Sequence, residues 1–114
     1  MSSSSLLNVP KTDEQWKAWS FNHAQQHINI IQAIQSQNNI DLNQYQLDPI
    51  NFSNENSIQD FLERHQQSHI DFTQVLGLQS VDLEEVNLKD EKQLNSFVYY
   101  NWLEHITANQ RLGI

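Results

Sequence analysis

The five histidines are the residues of this chain best suited to chemistry, and they share a helical spacing. His23 and His27 lie four residues apart, as do His65 and His69, and His105 takes the same place in a third segment. A step of four places two side chains one turn apart on the same face of a helix. The spacing predicts three helices that present polar side chains to a shared layer.

An aromatic side chain stands one turn before the polar side chains of each segment. The three aromatic residues are Trp19, Phe61 and Phe97. The histidines therefore continue the apolar face of each helix, where a polar imidazole needs a partner. We expect at least four of the five histidines to be buried and close to one another.

Two interpretations of this layer compete. In the first, the layer is a hydrogen-bonded network in which each neutral imidazole donates once and accepts once, completed by Asn101 and by Ser20 or Ser68. In the second, it binds zinc or iron, because imidazole suits both metals and bundle cores host such sites. The candidate ligands are His23, His27, His65, His69 and His105, with Glu104 as a carboxylate. The network is the preferred interpretation and no cofactor is required by it; acid–base catalysis by the layer is the least favoured.

Apolar spacing places the helices that must carry this layer. It predicts an all-α fold, a three-helix bundle with long connections that cover the core. The helices are expected near residues 13–37, 57–76 and 90–110. The predicted core residues are Trp19, Ile30, Ile34, Phe61, Leu62, Phe72, Leu94, Phe97 and Val98.

Cap residues support these helix boundaries. Pairs of residues three apart predict the N-terminal caps: Thr12 with Gln15, Ser57 with Asp60, and Asp90 with Gln93. Gly77 is expected to end the second helix in the left-handed conformation, and Gly113 is expected to end the third helix. Residues 12–114 are predicted to form one domain, and the Ser-rich residues 1–11 a flexible or docking N-terminal arm.

Composition excludes several classes of function. The chain has 114 residues with 6 Lys and Arg against 14 Asp and Glu, a net charge of −8. Direct binding of nucleic acid is not expected, because such proteins need clustered basic residues. The absence of cysteine excludes thiolate metal sites and disulfides. No apolar run is long enough to span a membrane, and no catalytic motif is present, so the sequence predicts no enzyme.

The half of the chain from about residue 61 onwards resembles a family of small proteins encoded among the virion genes of tailed bacteriophages. The shared motifs are His65-Gln-Gln-Ser-His69, Leu76-Gly-Leu78, Asp82-Leu83, Glu104-His105 and Leu112-Gly-Ile114. The resemblance implies a virion structural or assembly protein that docks onto a larger head, neck or tail assembly. It implies protein partners, with self-association left open. It also implies that the protein is located in the virion and, during assembly, in the host cytoplasm. The alternative is a metal-binding helical bundle, with enzymatic activity left open.

Overall fold

Three long helices dominate the part of the chain that this computed structural model describes, residues 6–38, 40, 42 and 54–114. Helix α1 spans Asp13–Asn38, α2 spans Glu55–Leu76 and α3 spans Glu91–Leu112. No strand occurs among these residues, so the all-α three-helix prediction is confirmed. Within the same ranges, no helix is both long and apolar enough to cross a membrane.

All three helices run in the same direction. At one end of the bundle, Nζ of Lys89, just before α3, lies 3.3 Å from Oε1 of Glu55 at the start of α2. At the other end, Nε2 of Gln37 in the last turn of α1 donates to the carbonyl of Leu112, the last residue of α3, at 2.9 Å. The connection between α2 and α3 must therefore return along the length of the bundle, and corresponding turns of the three helices lie side by side.

Two apolar clusters occupy the ends of the bundle. The larger cluster, at the N-terminal ends of the helices, comprises Leu6, Trp16, Trp19, Ile58, Phe61, Leu62, Leu83, Leu88, Phe97 and Val98. The smaller cluster, at the C-terminal ends, comprises Ile30, Ile34, Phe72, Leu76, Ala108 and Leu112. Of the nine predicted core residues, only Leu94 is not buried; it packs half-buried against the larger cluster.

The caps explain where most of the helices begin and end. The amide of Gln15 donates to Oγ1 of Thr12 at 3.1 Å, and Asp90 caps α3 as predicted. Gly77 and Gly113 have φ angles of 69° and 73°, a left-handed conformation that other residues adopt only at a steric cost. Both predicted helix stops are confirmed.

The predicted cap of α2 at Ser57 is wrong. Oδ1 of Asn54 accepts from the amides of Asn56 at 2.9 Å and Ser57 at 3.4 Å, so the helix begins at Glu55. Asparagine is as strong an N-cap as serine. Because Asn54 lies three residues earlier, it satisfies the first free amides and leaves Ser57 inside the first turn.

The described part of the predicted N-terminal arm, residues 6–11, begins in the core. Leu6 is fully buried in the larger cluster, and its carbonyl accepts a hydrogen bond from Nε1 of Trp19 at 3.1 Å. Pro10 is buried as well. A flexible arm therefore does not describe residues 6–10, because an apolar side chain and an acceptor for a buried indole hold this segment against α1. The docking role of residues 1–11 stays a prediction. Residues 1–5 lie outside the described residues.

The connection between α2 and α3 also returns through the larger cluster. Leu83 and Leu88 are buried there, and the amide of Leu83 donates to Oε1 of Gln66 at 2.9 Å. Most of the other predicted covering connection, residues 40–56, lies outside the described residues. The observed return of residues 77–90 matches the long covering connection predicted for the second half of the chain.

Candidate metal centre

The five histidines form a polar layer between the two apolar clusters. No histidine has more than 1% of its surface exposed, so the prediction that at least four are buried is confirmed. Because the helices are parallel, the layer consists of two rows of three side chains, one from each helix. The asparagine row is His23, His65 and Asn101. The histidine row, one turn further on, is His27, His69 and His105.

The Nε2 atoms of the histidine row form a closed triangle. The distance is 3.1 Å from His27 to His69, 3.1 Å from His27 to His105, and 3.3 Å from His69 to His105. Each separation is within hydrogen-bonding range when taken alone. The three separations together bring three ring nitrogens from three different helices to one point.

Hydrogen bonds alone cannot satisfy this triangle. An imidazole Nε2 carries either a proton or an exposed lone pair. With three atoms and only two states, at least two of the three nitrogens are alike, whichever tautomers are chosen. At least one edge therefore sets proton against proton or lone pair against lone pair. The network predicted from the sequence exists, but it does not satisfy its own centre.

The proton position on His69 is fixed from outside the triangle. Nδ1 of His69 donates to Oε1 of Glu104 at 3.1 Å. The same carboxylate accepts from Oγ of Ser80 at 3.2 Å and from the amide of Val81 at 3.1 Å. Burial raises the pKa of Glu104, and the hydrogen bonds from Val81 and Ser80 act in the opposite direction. With its proton on Nδ1, a neutral His69 directs a lone pair from Nε2 into the triangle.

His27 has a comparable outer partner. Its Nδ1 lies 2.8 Å from Oγ of Ser68, a hydroxyl that can accept the Nδ1 proton and leave Nε2 free to bind. Ser68 was one of two serines predicted to join the layer. The other, Ser20, is buried, and its hydroxyl has no hydrogen-bond partner within the described ranges.

The asparagine row is organised by a single oxygen. Oδ1 of Asn101 lies 2.9 Å from Nε2 of His23 and 2.8 Å from Nε2 of His65. An amide oxygen only accepts, so both imidazoles carry their proton on Nε2. The predicted participation of Asn101 in the network is therefore confirmed, and its two acceptor positions are both used.

Burial keeps the imidazoles neutral. Loss of solvation lowers the pKa of His69 to about 3. The same cause, reinforced by repulsion from neighbouring histidines, holds the pKa of His23, His27, His65 and His105 well below the ordinary value. Neutral imidazole is the form that binds metals, so no proton has to be removed from a charged ring at neutral pH.

The structure sorts the predicted candidates into three groups. Ring nitrogens of four residues lie within 4.8 Å of one another and could hold one ion: His23, His27, His69 and His105. His65 contacts Asn101 instead, and Glu104 stands behind His69 as its hydrogen-bond acceptor. Sequence reasoning missed Ser80 and Val81, because they lie on a connection whose path no periodic pattern reveals.

Comparison of the chain with protein-family models, with curated proteins and with solved structures found no match.

Proposed function

We propose that the protein binds one zinc ion through Nε2 of His27, His69 and His105. The observation that carries this proposal is the closed triangle of ring nitrogens, which hydrogen bonds leave in conflict. A cation removes the conflict, because all three nitrogens can then present lone pairs to the same centre. Burial favours the same outcome, since it keeps the three rings uncharged.

The size of the triangle suits zinc. An equilateral triangle with sides of 3.1–3.3 Å has corners about 1.8 Å from its centre. Nitrogens at zinc–imidazole distances of about 2.0–2.1 Å are about 3.3–3.4 Å apart in an ideal tetrahedron, which is close to the observed sides.

The donor set favours zinc over iron. Non-haem iron sites typically combine histidines with a carboxylate that binds the metal directly. Among the described residues, the carboxylate beside the triangle is Glu104, which accepts a hydrogen bond from His69 instead. A carboxylate behind a ligating histidine orients the ring and raises its basicity, as in many zinc sites.

An ion at this position would join the three helices. Each helix contributes one ligand, and all three ligands stand at the same height in the bundle. Because the unfolded chain does not bring these nitrogens together, zinc binding would stabilise the folded state. We infer that the ion fixes the register of three parallel helices.

A zinc titration of full-length protein, followed by competition with a chelator of known affinity, tests the proposal. We expect one ion per chain, and a loss of affinity of about 100-fold or more in His105→Gln. His65→Gln is the matched control, since it removes an equally buried imidazole that lies outside the triangle, and it should retain zinc. Wild-type protein that binds zinc no more tightly than His105→Gln would contradict the proposal.

We also propose that the protein docks onto a tailed-phage assembly, as the sequence resemblance implies. Exposed aromatic side chains support a docking role, because large aromatic residues are enriched at protein interfaces. Phe21 on α1 is 56% exposed, and Tyr99 and Tyr100 on α3 are 48% and 38% exposed. Mass spectrometry of purified particles should detect the protein; particles that lack it while infected cells contain it would exclude a virion component. Metal binding and docking are compatible.

A further inference from the structure

We propose that the bound ion keeps one coordination position for a small anion, because His23, the fourth histidine of the group, does not bind the metal. This inference rests on the proposed function, since it concerns the fourth position of the same ion. The ligand class is a monodentate anion of one to three atoms, such as hydroxide, cyanide or azide.

The proton on Nε2 of His23 keeps this residue from binding the metal. Nε2 of His23 lies 2.9 Å from Oδ1 of Asn101, an atom that can only accept, so this nitrogen bears a proton. A protonated nitrogen has no lone pair to offer a metal. His23 is therefore the one member of the four-nitrogen group whose observed hydrogen bond opposes ligation, although its Nε2 lies only 3.0 Å from Nε2 of His27.

Asn101 is held in the orientation that produces this effect. Its oxygen also accepts from Nε2 of His65 at 2.8 Å, and its side chain is fully buried. In this orientation an atom that can only accept faces both ring nitrogens. The asparagine row thus fixes a protonated Nε2 of His23 next to the histidine row.

The charge of the ion and the burial of the layer define the class of ligand. Three neutral imidazoles leave the double charge of zinc uncompensated, which favours an anion in the fourth position. Because the layer is almost completely buried, it excludes larger ligands. Zinc with three protein ligands and one exchangeable position is the arrangement of catalytic rather than structural sites.

The visible spectrum of the cobalt(II)-loaded, full-length protein tests the inference, since cobalt replaces zinc and reports its ligands. Azide should shift the spectrum of the wild-type protein at millimolar concentration after equilibration. Asn101→Leu removes the acceptor and frees the lone pair of His23 to bind cobalt, so its spectrum should not respond to azide. Ser20→Ala is the control, because it changes a buried side chain of α1 outside both rows and keeps Asn101, and it should respond like the wild type.

A second variant makes the outcome independent of how well Asn101→Leu folds. His23→Gln should bind cobalt within about tenfold of the wild type and still respond to azide, whereas His105→Gln should lose cobalt. A wild-type cobalt spectrum that azide leaves unchanged, or equal loss of cobalt in His23→Gln and His105→Gln, would overturn the inference and leave the metal site intact. Failure of wild-type protein to bind cobalt or zinc would overturn both proposals.

Discussion

The polar layer and the apolar clusters are built on the same helix faces but are held by different forces. The clusters are filled by aromatic and aliphatic side chains, whose burial is favourable at any pH and requires no particular partner. The layer buries five imidazoles and an amide, each of which must find a donor, an acceptor or a metal. The ends of the bundle therefore supply stability, whereas the layer sets the conditions of pH and metal under which the fold is stable.

The largest effect that separates the two regions is expected from pH. In metal-free protein the buried histidines have pKa values below 6.5, so the unfolded chain binds protons more readily than the folded one. Stability should be full above pH 6.5 and fall below it. Between pH 7.5 and 5.5 each histidine accounts for a loss of about 1.4 kcal/mol, or about 7 kcal/mol for all five.

Urea unfolding at the two pH values, with a chelator present, measures this loss. The raised pKa of Glu104 acts in the opposite direction, because this group binds a proton more readily in the folded chain than in the unfolded chain. Its contribution to the free energy of unfolding is therefore lost as the pH rises. His65→Gln removes one titrating group, so its pH dependence should be smaller by about 1.4 kcal/mol. Equal dependence in the two proteins would contradict the neutral, buried state of His65.

A smaller effect is expected from truncation in the larger apolar cluster. Phe61→Ala should lower the free energy of unfolding by about 3–5 kcal/mol, because it leaves a cavity next to Phe97. Unlike the loss in the layer, this one should be the same at pH 7.5 and 5.5. Phe21→Ala is the control: its side chain is 56% exposed, and the change should stay within about 0.5 kcal/mol. Thermal or urea unfolding distinguishes the two variants.

The smallest difference concerns the N-terminal segment. Leu6 is fully buried while its neighbour Leu7 is 39% exposed. Leu6→Ala should destabilise the protein by about 2–4 kcal/mol and Leu7→Ala by less than about 1 kcal/mol. If the two variants unfold at the same denaturant concentration, Leu6 does not contribute to the core, and the N-terminal segment is a flexible arm as the sequence predicts.

The helices and the layer could be predicted because both depend on short-range spacing. Two histidines four residues apart on the apolar face of a helix are expected to be buried next to each other. The glycine stops at Gly77 and Gly113 were predictable for the same reason, since a left-handed helix end needs only local chemistry. The cap of α2 failed because Asn54 and Ser57 are comparable caps and the sequence alone does not choose between them.

The direction of the helices and the detail of the site could not be predicted. The spacing does not show that α1, α2 and α3 run in parallel. This parallel arrangement places the polar side chains in two rows, each with one side chain from each helix. The contacts of Glu104 with Ser80 and Val81 depend on the path of a loop. The burial of Leu6 accompanies the hydrogen bond that its carbonyl accepts from Nε1 of Trp19, a long-range contact that no local pattern predicts.

X-ray absorption at the zinc edge, on full-length protein loaded with one equivalent of zinc, tests the metal site most directly. The triangle formed by His27, His69 and His105 predicts nitrogen neighbours at about 2.0–2.1 Å, with outer-shell scattering from three imidazole rings. His105→Gln should lose this signature and His65→Gln should keep it. A spectrum of oxygen neighbours without imidazole scattering would show zinc bound at the surface, and would contradict a metal centre in the layer.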